Sequence, residues 1–202
     1  MIRLACKIPK KVTLACSGGK DSMAVLSFLL RGKRDVSVAY YNHGTDHGHE
    51  AQRFVQSVCD LHRLELITET CNDSIPKKVS KEEFWRNKRY EFFKKARGPI
   101  ITAHHLDDAV EWWIFSSLRG NPSLMPIKRD MPHVIRPFML SLKKDLHRHL
   151  NMSYIQDPSN TNVKFARNYI RHELAPMCLT VNPGLHKTVR NLYQKADFNE
   201  EG

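Results

Sequence analysis

Three features of the sequence predict an α/β protein built on a doubly wound, mainly parallel sheet: strand-like apolar runs that alternate with helical ones, glycine or polar turns that close each run, and a glycine turn directly after the first strand. The first run, residues 12–16 (VTLAC), stops at Ser17-Gly18-Gly19, and residues 23–30 are then almost continuously apolar up to Arg31-Gly32. This reads as strand, turn, buried helix and glycine stop. Residues 36–41 form a second β-branched and aromatic run that ends in Asn42-His43-Gly44. Helical spacing through Phe54, Val55, Val58 and Leu61 follows, and then a strand over 64–68. Ser80, with Glu83 three residues on, makes a capping box for a helix to about residue 97, with Phe84, Tyr90 and Phe93 facing inward. Residues 99–103 supply the next strand, with His104 and His105 at its carboxyl end, and residues 107–118 a helix closed by Gly120.

Beyond Arg119 the texture changes. Pro122, Pro126, Pro132 and Pro137, beside Lys128 and Arg129, read as a long irregular basic loop. Ser141 caps a helix to about residue 150, Asp157-Pro158-Ser159-Asn160 is a turn, and residues 165–174 form a basic helix ended by Pro176. Pro183-Gly184 precedes a last short helix. The predicted organisation is a nucleotide-binding domain over 1–140 with a helical extension over 141–202 packed on it. In an open sheet of this class the ligand lies outside the carboxyl ends of the strands. That crevice would gather Ser17 to Ser22, Asn42 with His43, and His104 to Asp108.

The chain has 202 residues, 41% hydrophobic and 26% charged, which is ordinary for a globular domain. Its formal net charge of +11 should concentrate polyanions at the surface, and nucleic acid is the leading partner. Five cysteines at irregular spacing, with no C-x-x-C pair, indicate neither a disulfide framework nor a cysteine zinc site and suit a reducing cytoplasm. The start, MIRLACKIPKK, lacks the long apolar stretch of a signal peptide, and no run approaches bilayer length. A cytoplasmic protein without membrane contact is expected.

Ser17-Gly18-Gly19-Lys20-Asp21-Ser22 is the segment richest in chemistry. Two glycines let backbone N–H groups approach an anion while the following helix presents its positive amino end. It is neither a Walker loop nor a dinucleotide fingerprint, both of which need other glycine spacings. As S-G-G-x-D-S between a strand and a buried helix it resembles the PP-loop of the N-type ATP pyrophosphatases. Within that superfamily the chain is similar to the tRNA(Ile)-lysidine synthase family from about residue 12 to 183. Tyr41-Asn42-His43-Gly44 resembles its V-N-H-G segment, and Arg86-Asn87-Lys88-Arg89-Tyr90-Glu91-Phe92-Phe93 its R-x-x-R-Y-x-F-F helix. Thr102 to Asp108 with Glu111 resembles T-A-H-H-x-x-D-x-x-E, followed by Leu118-Arg119-Gly120 and Ile135-Arg136-Pro137. Asp157-Pro158-Ser159-Asn160 and Arg167-Asn168-Tyr169-Ile170-Arg171-His172-Glu173-Leu174 resemble D-P-S-N and R-N-x-I-R-x-E-L. Two departures stand out: Thr45-Asp46 replaces the family's usual Leu-Arg, and longer members carry a further carboxyl-terminal region that recognises the tRNA body.

The resemblance implies a two-step reaction. The C2 oxygen of a cytidine in tRNA(Ile) attacks the α-phosphate of ATP, and L-lysine then displaces AMP. It also implies ATP and Mg2+ as cofactors. ATP binding falls to Ser17, Gly18, Gly19, Lys20, Asp21, Ser22, Asn42 and His43. Asp21, a hard anionic oxygen beside bound phosphates, becomes the magnesium ligand. Asp21, His104, Asp107, Asp108 and Glu111 are the catalytic candidates: the last three because an incoming ammonium must be held and deprotonated, His104 as a hydrogen-bond donor to the nucleotide or base. Asp107 and Glu111, four apart, can share one helix face. First-turn acids also stabilise a helix by its dipole, so which of these carboxylates is the base stays open. Arg86, Arg89, Arg119, Asn168 and Arg171 are the candidates for tRNA or substrate, and Arg119 or Arg136 could also meet phosphate charge. Of His104 and His105 only one should face the crevice. Trp112, Trp113 and Phe115 read as core. A homodimer would supply surface that a short chain lacks. Another PP-loop tRNA-modifying enzyme, or an inactive tRNA-binding module of the same fold, are the rival readings.

Overall fold

The computed structural model describes residues 1–158, 163 and 165–200. The chain forms a six-stranded sheet in the order β3-β2-β1-β4-β6-β5. Its strands are β1 (Lys11–Ala15), β2 (Asp35–Asn42), β3 (Leu66–Thr70), β4 (Ile100–Ile101), β5 (Lys128–Arg129) and β6 (Val134–Ile135). All neighbours pair in parallel except β5 with β6. β1 and β2 are near-continuously apolar because they are covered on both faces, as parallel strands must be when helices form the crossovers. The alternation within β2 shows the two covers directly. Val38 and Tyr40 join one core, while Ala39 and Tyr41 join another.

The first core is closed by α1 (Lys20–Arg31), α2 (Asp46–His62) and α5 (Lys143–His147), through Met23, Leu26, Leu29, Val55, Val58 and Leu146. The opposite core packs Phe92 and Phe93 of α3 (Lys81–Phe93) on Ile100 and Val134. A third cluster joins α4 (Leu106–Leu118) to the last helices, through Leu106, Ala109, Val110 and Ile114 against Ile170, Leu185, Val189 and Tyr193. Those last helices are α6 (Ala166–Tyr169), which runs through a π-helical turn (Ile170–Leu174) into α7 (Ala175–Val181), and α8 (Leu185–Glu200). Segments on both sides of residue 140 therefore share one core.

The predicted fold class is the observed one, with differences at element ends that have local causes. The third strand begins at Leu66 rather than Leu64, because α2 ends on Arg63 in the left-handed region (φ 54°) and the Leu64 N–H bonds back to Cys59. α3 stops at Phe93, four residues short of the expected end. The proline-rich stretch is not wholly irregular, since it contains β5 and β6, and Ile100 and Ile101 pair with Val134 and Ile135. Ser141 does not cap α5; it is buried, and its hydroxyl joins the backbone of Arg3 instead. Pro176 does not end a helix either. It sits in the first turn of α7, directly after the π-helical turn, where a missing N–H is tolerated. Thr45-Asp46 caps α2: the Thr45 hydroxyl accepts from the Gly48 N–H, and Asp46 lies in the first turn. Ser159 and Asn160 lie outside the described residues.

The order of the strands decides where a ligand can bind. The chain builds outward from β1 through β2 to β3, then returns to place β4 on the other side of β1. The crossovers leaving β1 and β4 diverge, which opens a crevice at their carboxyl ends. Phe138, fully buried just past β6 and edge-on to Phe28 of α1 at 5.3 Å, holds this side of the sheet to the helix that follows the loop. Phe138→Ala is expected to destabilise the fold by about 3–5 kcal/mol, read as a lowered urea midpoint at unchanged slope.

Candidate active site

The loop after β1 is shaped by close approaches. Gly18 has φ +77°, and a Cβ there would lie 3.1 Å from Phe54 and 3.2 Å from Ile155. Ile155 also donates its N–H to the Gly18 carbonyl at 3.0 Å, which braces the loop from outside. Gly19 is the N-cap of α1 and offers no side-chain cap, so the first N–H groups of the helix are left to a ligand. The Ser22 hydroxyl donates to the Gly19 carbonyl at 2.8 Å and keeps the turn tight.

The loop forms one wall of a cleft of about 450 Å³, within the range of small-molecule sites. Ser17, Gly19, Asp21 and Ser22 line it, together with His43, Arg89, His104, Asp108, Arg167 and Arg171. Elements from both halves of the sequence thus meet at the switch point.

A buried charge network ties the loop to α4. His105, the N-cap of α4, is 1% exposed. Its Nδ1 lies 3.2 Å from Asp108 Oδ2 and 3.6 Å from Asp107 Oδ2, and its Nε2 lies 3.8 Å from Asp21 Oδ1. Nδ1 is also 3.4 Å from the Asp108 N–H, a capping contact that only a neutral ring could accept. Burial opposes the imidazolium, but Asp108, Asp21 and Asp107 outweigh it and raise the His105 pKa. The surrounding acids thus favour the protonated ring, while the capping contact favours the neutral one. Burial likewise opposes ionisation of Asp21, yet His105, Lys143 and His147 hold its carboxyl far below the usual range. His147 Nε2 is 2.6 Å from Asp21 Oδ1, and Lys143 Nζ is 3.8 Å from Oδ2. Despite burial, Asp107 falls to about 2 through His186 and the Lys143 N–H. Arg171 forks onto Glu111 at 2.8 and 2.9 Å and reaches Asp108 at 2.9 Å.

The facing wall carries Arg89 and Tyr90, with three further arginines around the phenol ring. Arg86, Arg89, Arg129 and Arg136 surround Tyr90. Arg129 lies 4.5 Å and Arg86 5.6 Å from the ring centroid, and Arg136 donates to the phenol oxygen at 2.9 Å. None of the four pairs with a carboxylate among the described residues. Burial, then the charges of Arg167, Arg86 and Arg136 with Tyr90 opposing, weaken the hold of Arg89 on its proton. Such a cluster is an unmet demand for anions.

The structure brings together Ser17, Gly19, Asp21, Ser22, His43, Arg89, His104, Asp108 and Arg171. It does not bring the other candidates to the cleft wall. Gly18 is turned to Phe54 and Ile155, and Lys20 lies 5.5 Å over Tyr154. Asn42 is fully buried; its amide accepts from the Gly44 N–H and donates to Gln52. Asp107 and Glu111 stand behind Asp108 in the network, Arg86 lies on the far side of Tyr90, and Arg119 ends α4 against Phe115 at 5.2 Å. Asn168 lies on α6, outside the cleft lining. His105 and His104 both serve the site, one inside its wall and one on its surface. Trp113 and Phe115 pack into core, as expected. Sequence reading missed Lys143, His147 and His186, which reach Asp21 and Asp107 from helices with no motif to mark them.

Among the described residues no three His, Cys, Asp or Glu side chains gather to hold a metal by themselves. Asp21 offers one hard carboxylate on the cleft wall. That donor suits a magnesium ion carried by phosphates rather than one caged by protein.

Residues 4–178 match the PP-loop domain family, and the chain belongs to that family, whose members use ATP. It is 28% identical over 196 residues to a tRNA(Ile)-lysidine synthase of Francisella tularensis subsp. novicida, covering 90% of this chain and 49% of that protein. It is 29% identical to those of Pseudothermotoga lettingae and Petrotoga mobilis, covering 91% and 86% of this chain but 45% and 61% of theirs. The chain thus spans about half the length of the curated relatives it matches. Among solved structures it is similar to the U34-tRNA thiolase NcsA of Methanococcus maripaludis, with a TM-score of 0.70 at 14% identity over 92% of this chain and 72% of that one. The NH3-dependent NAD synthetase of Campylobacter jejuni gives a TM-score of 0.51 at 18% identity, over 95% and 87%. These two likenesses show the fold. No helix among the described residues is long and apolar enough to cross a membrane.

The two neutral histidines on the cleft wall set a pH dependence. Burial, then Arg167, Arg136 and Arg89, draw His104 down to about 3 against the opposing charge of Asp108. Burial and Arg89 draw His43 down to about 4. Both fall below the unfolded value of about 6.5, so the unfolded chain binds more protons below that pH, and stability falls as pH drops from 6.5 towards 4. Unfolding free energies from urea titrations across this window should fall less steeply in His104→Asn, by up to about 1.4 kcal/mol per pH unit for the one proton removed.

Proposed function

We propose that this chain is an ATP-dependent ligase acting on tRNA. The C2 oxygen of the wobble cytidine in tRNA(Ile) with a CAU anticodon attacks the α-phosphorus of ATP, and pyrophosphate leaves. A lysine amine then attacks C2, AMP departs, the amine loses its proton, and lysidine remains. The observation that carries this reading is a single cleft that joins an uncapped PP-loop helix to Arg89, which pairs with no carboxylate among the described residues, and to Arg167 and Arg171, which reach Asp108 from the other side. One half suits a nucleotide pyrophosphate, the other a nucleic-acid backbone. The lysidine synthases to which the chain is similar support the choice of tRNA and lysine.

In this reading the N–H groups of residues 17–22 receive the phosphates of ATP, and Asp21 would hold their magnesium ion. When bound, that ion would neutralise charge that develops on the phosphates. Asp108, on the cleft wall, is the carboxylate placed to hold the incoming ammonium, while Arg171 and Glu111 fix its position. His104 stays unprotonated and gives or takes a hydrogen bond to the nucleotide or base; it is too weak a base to take the proton of an ammonium. Arg89 and Arg86 meet phosphate, while Asn168 and Arg119 would meet tRNA beyond the cleft. The nucleotide part ends near residue 140, and the later helices carry Arg171 to it. The work takes place in the cytoplasm, where tRNA is held, and a homodimer would add tRNA-binding surface.

A tRNA(Ile) transcript with a CAU anticodon, incubated with the protein, ATP, magnesium and lysine, should gain one lysine at the wobble cytidine by mass spectrometry. Release of AMP and pyrophosphate with other tRNAs and no lysine gain would replace this reading with another PP-loop tRNA modification. Asp21→Ala is expected to lose ATP–pyrophosphate exchange by at least about a hundredfold while its circular dichroism spectrum stays that of the parent. An active, folded variant would remove the metal role of Asp21.

A further inference from the structure

We propose that Trp85 is a stacking platform for an unpaired RNA base at the mouth of the cleft, with Lys81 and Arg89 on either side of it for the flanking phosphates. The inference rests on the tRNA substrate proposed above. None of the chemistry assigned so far uses Trp85.

Trp85 is half-buried on α3, and His43 stacks on it with ring centroids 4.6 Å apart and planes at 30°. His43 is held edge-on by Tyr41 at 5.2 Å and itself lines the cleft, so the indole is backed by a ring that belongs to the site wall. Lys81 is exposed, and its ammonium stands 4.4 Å from the centroid of the Trp85 ring. A surface lysine is a mobile cover, and a flat base can displace it and still use its charge on a phosphate.

Spacing on α3 gives the platform a direction. Lys81, Trp85 and Arg89 are four apart in turn and share one helix face, covering roughly 12 Å of helix length. Arg89 at one end lines the cleft, and Lys81 at the other stands in solvent. The order cation, aromatic, cation, leading outward from the reacting site, is how single-stranded RNA is gripped: charges follow the backbone while a π-face takes a base without reading its identity. Lys77 and Lys78, both exposed, extend the positive charge just before the helix. His43 Nδ1 is buried and has no hydrogen-bond partner among the described residues, which leaves one polar atom of the backing ring for a ligand in the cleft.

The test is binding of the CAU-anticodon tRNA(Ile) transcript to the full chain, by fluorescence anisotropy at several salt concentrations, beside the Kd for ATP. Trp85→Ala should raise the Kd for tRNA about five- to a hundredfold, with the Kd for ATP and the salt slope unchanged. Lys81→Ala should lower the slope of log K against log salt by about 0.7. Should Trp85→Ala also lose ATP, Trp85→Phe and Trp85→Leu decide: stacking requires that Phe keep most of the affinity and Leu lose it. Equal tRNA affinity of the parent and Trp85→Ala, or of Trp85→Phe and Trp85→Leu, overturns the platform and leaves the ligase reading standing. A parent chain that binds ATP but no tRNA overturns both.

Discussion

His105 is shut away from solvent, yet it faces three carboxylates: Asp21 in the first turn of α1, and Asp107 and Asp108 in the first turn of α4. An imidazole among three acids, which push its pKa upward, does what no apolar packing could. It links the PP-loop helix to α4 across the switch point between β1 and β4, where the strand order changes side, and it lessens the repulsion among three acids in one small volume. The pair of walls depends on it. Remove the ring, and Asp21 would keep His147 and Lys143 and Asp108 would keep Arg171, but the group that touches both acids at once would be gone.

The two sides of the cleft then differ in kind. On the α4 side every carboxylate has a cation inside the protein: His147 and Lys143 at Asp21, His186 at Asp107, and Arg171 at Asp108 and Glu111. On the α3 side the arginines around Tyr90 have no such partners among the described residues. A polyanion therefore meets a surface that is attractive on one side and already neutralised on the other. Phosphate charge is therefore favoured on the α3 side.

Much of this was legible in the sequence, for physical reasons that differ from element to element. β1, α1 and β2 announce themselves because burial on both faces demands unbroken apolar runs, and the glycines of the loop announce the close approach. The clustering of Ser17 to Ser22 with His104 to Asp108 followed from topology alone. What stayed hidden were contacts between distant helices. His147 and His186 lie 126 and 79 positions from the acids they meet, in helices whose pattern records only their own packing. Strands of two residues, such as β5 and β6, are too short for an alternation to show. Pro176 misled because the rule that proline ends a helix assumes an uninterrupted α-helical register.

That interruption has a consequence for how the chain can change over time. The π-helical turn at Ile170–Leu174 amounts to one residue more than an α-helix would use, and Arg171 lies within it. Each residue of helix turns the following side chains by about 100°. Shortening the segment by one position would restore regular hydrogen bonding and would also rotate the guanidinium away from Glu111 and Asp108, or drag Leu185, Val189 and their partners out of line. The segment is thus closed to small deletions even where its side chains face solvent. Length, rather than residue identity, is what its two ends hold in common.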